Sequence, residues 1–123
     1  MAREIFNFEK LEIWQEGMSL AKAIYSVTRK FPADERYGLT IQMRRCAISI
    51  PSNIAEGSGR RTDKDFLRFA YLARGSLLEL VTQIKLANSL QFLDDEKTAR
   101  VLERAEKLFA MLSNFIKYLS KSE

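Results

Sequence analysis

The sequence predicts an all-α protein: an antiparallel up-down-up-down four-helix bundle whose second helix is kinked near Pro51. Three observations carry that expectation. Apolar residues recur at alternating steps of three and four along most of the chain, which is helical spacing and not strand alternation. Only two prolines and five glycines interrupt 123 residues, so long regular elements are expected. The breaks fall near Pro32, Gly57 to Gly59 and Asp94-Asp95, which leaves four segments joined by short loops. Short loops between helices make neighbours antiparallel.

Helix one reads from about Glu9 to Lys30. Leu11, Trp14, Met18, Ala21, Tyr25 and Thr28 form its main apolar stripe, with Ile13, Leu20, Ile24 and Val27 beside it. Phe31-Pro32 stops it, because the residue before proline avoids the α region. Helix two reads from about Tyr37 to Glu56, with Leu39, Met43, Ala47, Ile50 and Ile54 facing inward. Pro51 cannot donate its backbone bond and its ring crowds the carbonyl of Ala47, so a kink is expected there. Ser49, Ser52 and Asn53 are placed to bond the freed carbonyls, and the Ser49–Asn53 segment reads as a packing device.

Gly57-Ser58-Gly59 is expected to end helix two, one glycine supplying a left-handed cap. Thr62 caps helix three and Asp65 completes a capping-box-like pattern. Helix three runs to about Leu90 on Phe66, Ala70, Ala73, Leu77, Leu80, Ile84 and Ala87. Leu67, Leu72, Leu78 and Leu86 lie off that stripe, and a helix apolar on more than one side packs against more than one neighbour. Asp94 or Asp95 caps helix four, which runs to about Leu119 on Leu102, Ala105, Phe109, Leu112, Ile116 and Leu119. Val101, Leu108 and Phe115 again widen the apolar face. The tail from Ser120 to Glu123 is expected to fray. The chain is one domain, residues 1–123. Its surplus apolar faces favour a homo-oligomer, with closed cyclic symmetry as the default.

Charge is uneven. Arg44 to Arg74 holds seven basic residues (Arg44, Arg45, Arg60, Arg61, Lys64, Arg68 and Arg74) against Glu56, Asp63 and Asp65, a net +4 that equals the charge of the whole chain. Phosphate recognition needs cations spaced along a surface, and arginine adds bidentate contacts. Arg60 and Arg61 precede the expected N-terminus of helix three, where free N–H groups also favour an anion. These seven are the candidate nucleic-acid-binding residues. The competing reading is a solvated face with ion pairs to Glu56, Asp63 and Glu79. Gly57-Ser58-Gly59-Arg60-Arg61 lacks the Gly-Lys-Ser/Thr ending of a P-loop and follows no strand, so it reads as a helix–helix turn.

The composition excludes much chemistry. The chain has no histidine. That removes Ser-His-Asp and Cys-His catalysis, the usual zinc sites and the Glu-x-x-His pairs of di-iron bundles. Cys46 is the single cysteine, so no disulfide forms within the chain. It reads as a small buried residue; the competing reading is a thiolate activated by Arg44 and Arg45. No enzyme, cofactor or metal is expected. No apolar run approaches the roughly 20 residues that span a bilayer. The N-terminus shows no signal-peptide h-region, so a cytoplasmic location is expected.

Four blocks carry a family resemblance. They are Phe8-Glu9-Lys10-Leu11-Glu12-Ile13-Trp14-Gln15; the run from Tyr37 to Arg45; Ser49-Ile50-Pro51-Ser52-Asn53-Ile54-Ala55-Glu56-Gly57; and the run from Phe66 to Leu80. Over about Phe8 to Leu119 the chain resembles the bacterial four-helix-bundle family of 23S rRNA intervening-sequence proteins, the S23 family. The resemblance implies a small bundle that assembles as a pentameric, barrel-like ring. A related branch is the accessory protein of diversity-generating retroelements, which binds a reverse transcriptase and nucleic acid through a basic surface. Most members have no established biochemical activity, and the ribosomal label reflects gene location. Arg74 departs from the family, where lysine or a small polar residue is commoner.

The expected function is therefore a non-enzymatic, homo-oligomeric, nucleic-acid-associated adaptor that holds RNA or DNA backbone through a basic surface. The alternative is a protein-interaction scaffold. It docks an acidic or nucleic-acid-processing partner, such as a reverse transcriptase, and binds no nucleic acid itself.

Overall fold

The computed structural model describes residues 6–121. Four long helices dominate: α1 (Glu12–Thr28), α2 (Ile41–Ser58), α3 (Asp63–Ser89) and α4 (Asp95–Ser120), with no strand among the described residues. Short helical turns at Asn7–Lys10, Ala33–Glu35 and Arg36–Thr40 complete the order. Each helix packs on the next, and α1 also packs on α4. Cross-helix contacts join the end of one helix to the start of its successor. Arg44 bonds Thr28, Gly57 meets Phe66 and Phe69, and Asn88 bonds Asp95.

The helix starts follow their caps. Thr62 Oγ1 accepts from the Asp65 N–H at 3.1 Å, and Asp94 Oδ1 accepts from the Lys97 N–H at 2.8 Å. Such caps satisfy N–H groups that have no partner inside the helix. Helix two begins later than its periodicity predicts. A π-helical turn, Arg36–Thr40, precedes it, with Gly38 outside helical geometry (φ −108°, ψ −115°). Glu35 holds this turn by accepting from the Leu39 N–H at 3.0 Å.

Pro51 stands buried inside α2, which continues past it to Ser58. Ser49 Oγ donates to the Cys46 carbonyl and Asn53 Nδ2 to the Ser49 carbonyl, both at 2.8 Å. Gly17 of α1 faces the Pro51 ring, where a Cβ would stand at 3.4 Å, an ordinary packing distance.

The left-handed glycine cap expected after helix two does not occur. Gly57 is buried inside α2, and Gly59 caps it with φ −87° and ψ 0°. Gly57 serves packing. A Cβ there would come within 2.7 Å of both Phe66 Cδ1 and Phe69 Cβ. The one left-handed residue among the described residues is Gln91, φ 65°. It follows α3, where Gln91 N–H donates to Asn88 and Phe92 N–H to Ala87, the paired bonds of a Schellman ending.

The core stripe of helix one is also corrected. Ile13, Gly17, Leu20, Ala21, Ile24 and Thr28 are buried. Trp14 and Met18 are half-buried and Tyr25 is exposed. These three line an outer groove of about 710 Å³ between α1 and α2, together with Ile48 and Pro51. The other stripes match more closely. Met43, Ala47, Ile50 and Ile54 of α2 and Ala70 to Ala87 of the predicted α3 stripe are fully enclosed. In α4 the expected core residue Phe109 lies at the surface, and Val101 and Leu108 are buried instead. Leu72, Leu78 and Leu86 of α3, and Leu90 at its C-cap, remain about half exposed.

The expected signal-peptide absence concerns an N-terminus whose residues 1–5 lie outside the described residues. The fraying tail is described only to Lys121, and Ser120 within it is helical. Gly57→Ala forces either the ring of Phe66 or the backbone of α3 to move. Overpacking of this kind costs about 1–3 kcal/mol, and a urea titration is expected to show a midpoint lowered accordingly with an unchanged slope.

Candidate nucleic-acid interface

The seven candidate cations fall into three places. Arg60, Arg61, Lys64 and Arg68 gather at the α2–α3 turn and the first turns of α3. Arg74 lies further along α3, in the seam with α4. Arg44 and Arg45 sit in the first turns of α2, about 20 Å from its far end at 1.5 Å per residue. The set is therefore spread along the length of α2 and not gathered at the turn.

Phe69 organises the turn group. Its ring is buried, and the guanidinium carbons of Arg60 and Arg68 lie 4.7 and 4.5 Å from its centroid. A cation over an aromatic face is attracted to the ring while its N–H groups remain able to bond elsewhere. Arg60 also pairs with Glu56 at 3.2 Å. Arg61 and Lys64 are exposed, and neither has an ion pair or hydrogen bond among the described residues. Helical spacing puts Lys64 and Arg68 on one side of α3 and turns Asp63 away from them. Asp63 and Asp65 occupy the first turn of α3, where the helix dipole favours carboxylates.

Arg74 is half-buried and engaged at the α3–α4 seam. Its Nη1 donates to Ser113 Oγ at 3.2 Å, and its guanidinium lies 5.1 Å from the Tyr71 ring and 5.7 Å from the Phe109 ring. Arg44 is likewise engaged. Its Nε donates to Thr28 Oγ1 at 2.9 Å and its Nη2 to the Tyr25 carbonyl at 3.4 Å. Its guanidinium stacks 4.5 Å from the Tyr25 ring. It thus satisfies the C-terminal end of α1, where carbonyls lack intrahelical partners and cations are favoured. Arg45, its neighbour, is exposed.

Cys46 lies between α2 and α3. Its Sγ donates within 3.1 Å of Glu79 Oε2 and 3.4 Å of the Ser76 carbonyl. Burial, followed by the adjacent Glu79 carboxylate, pushes its pKa up to about 12. The activated-thiolate reading is overturned: the group facing the sulfur is an anion, not Arg44 or Arg45. No cluster of three or more His, Cys, Asp or Glu suited to a metal occurs among the described residues. No helix among them is long and apolar enough to cross a membrane.

Sequence periodicity missed Phe69, which lies off the predicted α3 stripe. The signal was present in the Arg68-Phe69 pair, an arginine beside a bulky aromatic. It also gave no means of separating Arg44 from Arg45, because the distinction depends on Thr28 and Tyr25 across the α1–α2 seam.

These features define an all-α, four-helix protein with a cation-bearing turn between its second and third helices. The chain matches the family described as 23S rRNA-intervening sequence protein over residues 9–114, and it belongs to that family. Among solved structures it is similar to a protein of unknown function from the S23 ribosomal protein family of Bacteroides thetaiotaomicron VPI-5482. The TM-score is 0.77 at 18% identity, over 85% of this chain and 98% of that one, a likeness of fold. No curated protein matches the chain.

Two predictions follow from this geometry. Arg44→Ala removes two hydrogen bonds at the end of α1 and is expected to cost about 1–2 kcal/mol, whereas Arg45→Ala stays within about 0.5 kcal/mol; thermal denaturation of both variants compares them. Cys46 keeps its proton in the folded state up to about pH 12 but loses it near the ordinary value of 9.0 when unfolded. Its contribution is therefore complete below about pH 9 and is lost as pH rises toward 12. Cys46→Ala is expected to flatten the alkaline limb of stability against pH, measured by urea denaturation from pH 7 to 11.

Proposed function

We propose that this protein is a non-enzymatic, self-associating adaptor that contacts the backbone of RNA or DNA through the α2–α3 turn. The observation that carries the reading is the gathering of Arg60, Arg61, Lys64 and Arg68 at that turn, with Arg60 and Arg68 both stacked on Phe69. Guanidinium groups held over a ring keep N–H donors near fixed positions, and a phosphate accepts two from one arginine at once. The exposed Arg61 and Lys64 add charge without a competing carboxylate partner.

Self-association draws support from α3. Leu72, Leu78 and Leu86 are each about half exposed on a helix whose opposite face already fills the core, and Leu90 at its C-cap adds to them. A ring of subunits repeats each basic turn and multiplies its attraction for a polyanion. A scaffold that docks an acidic protein partner uses the same turn and is separated from this reading by the same experiment.

That experiment is a filter-binding titration of the wild type and an Arg60→Glu/Arg61→Glu variant against structured ribosomal RNA at about 50 mM salt. Loss of two phosphate contacts and the added repulsion are expected to weaken binding at least about tenfold, with the far-ultraviolet spectrum unchanged. Equal affinity of the two proteins contradicts the assignment of the turn.

A further inference from the structure

A second basic site lies at the other end of α2. A cavity of about 440 Å³ there is bordered by Tyr25, Arg36, Tyr37, Arg44 and Arg45, with Ile48 at its edge. Three arginines and two tyrosines are among its lining residues, together with Thr40 and Ile41, and no acidic residue lines it. Its size falls in the range of small-ligand sites, about 300–1,000 Å³.

The local architecture keeps that charge uncompensated. Glu35 is the nearest carboxylate along the chain, and its Oε1 is already the acceptor for the Leu39 N–H. None of Arg36, Arg44 and Arg45 has a carboxylate partner among the described residues. Arg44 is locked by Thr28 and Tyr25, so its position is set before any ligand arrives. Tyr37 is 84% exposed, the most exposed large apolar or aromatic residue among those described. The capped π-helical turn fixes its backbone.

An exposed tyrosine alone is ordinary, and so is an exposed arginine. Their coincidence in one acid-free cavity is not. Binding of single-stranded nucleic acid requires an open aromatic face for an unstacked base and cations spaced for the flanking phosphates. From these features we infer that this cavity holds a single-stranded nucleic-acid segment, one base stacked on Tyr37 and its phosphates held by Arg36 and Arg45. Arg44 braces Tyr25 beneath them. The cavity shares Tyr25 and Ile48 with the larger α1–α2 groove, whose lining includes Trp14, Lys22 and Arg29. The strand thus has an adjoining path with a further ring and further cations. A duplex, with its bases stacked inside, has no base to offer Tyr37.

The inference rests on the nucleic-acid reading above and adds to it a second site with a different preference. Fluorescence anisotropy of the full chain, at about 50 mM salt, tests it with labelled single-stranded RNA, single-stranded DNA and duplex DNA of equal length. Tyr37→Leu keeps an apolar side chain at a surface position and removes the stacking face. It is expected to weaken single-strand binding about tenfold while duplex binding changes less than about twofold. Tyr37→Trp restores the loss. A tenfold loss with either kind of single strand supports the site and identifies its ligand. Unchanged single-strand affinity in Tyr37→Leu overturns the site, and leaves the turn assignment standing if Arg60→Glu/Arg61→Glu still weakens binding. Absence of binding by the wild type to all three oligonucleotides overturns both.

Discussion

The close approach of α2 and α3 at Gly57 governs where the rest of the molecule can go. Phe66 and Phe69 pack within a distance that no Cβ at residue 57 permits. This contact seats Phe69 in the turn, and Phe69 in turn carries the guanidinium groups of Arg60 and Arg68. Behind it the seam continues through Ala47, Ile50 and Ile54 of α2 and Ala70, Ala73, Leu77 and Leu80 of α3, all fully buried. Small residues on α3 let the helices approach while leucine and isoleucine fill the space between them. A packing constraint in the core thereby fixes the geometry of charge at the surface.

The two ends of α2 use arginine differently. At the turn, Arg60 and Arg68 are stacked on a buried ring and Arg61 and Lys64 extend into solvent. At the start of α2, Arg44 is spent on the carbonyl end of α1, and Arg45 beside it is exposed. Charge counted along the sequence treats these residues alike. Their partners divide them into braces, such as Arg44 and Arg74, and cations available to a ligand.

The four helices were legible because periodicity reports burial along a helix directly. Thr62 was legible as a cap, and the helix-four cap was narrowed to Asp94 or Asp95, because a side-chain oxygen three residues ahead of an N–H is a local arrangement. Gly57 was misread because glycine serves both left-handed turns and close packing, and only the position of Phe66 and Phe69 across the seam distinguishes them. The stripe of helix one was misassigned for a related reason. Two adjacent apolar stripes each fit a helical period, and the sequence alone does not say which one meets α2 and α4. Met18 and Tyr25 consequently line an outer groove, and Trp14 lines it too while packing against the edge of the core. The basic residues were legible as a group, but the division into turn, seam and far end needed the fold.

The central claim is that the α2–α3 turn contacts phosphate, and counterion release measures such contacts directly. The most direct test is the slope of log affinity against log salt for duplex DNA binding by the wild-type protein, between about 50 and 200 mM. Four cations at the turn predict a slope of about −3 to −4 for each bound subunit. A slope near zero, or no binding at the lowest salt, contradicts the account and leaves the basic turn as a surface for another protein.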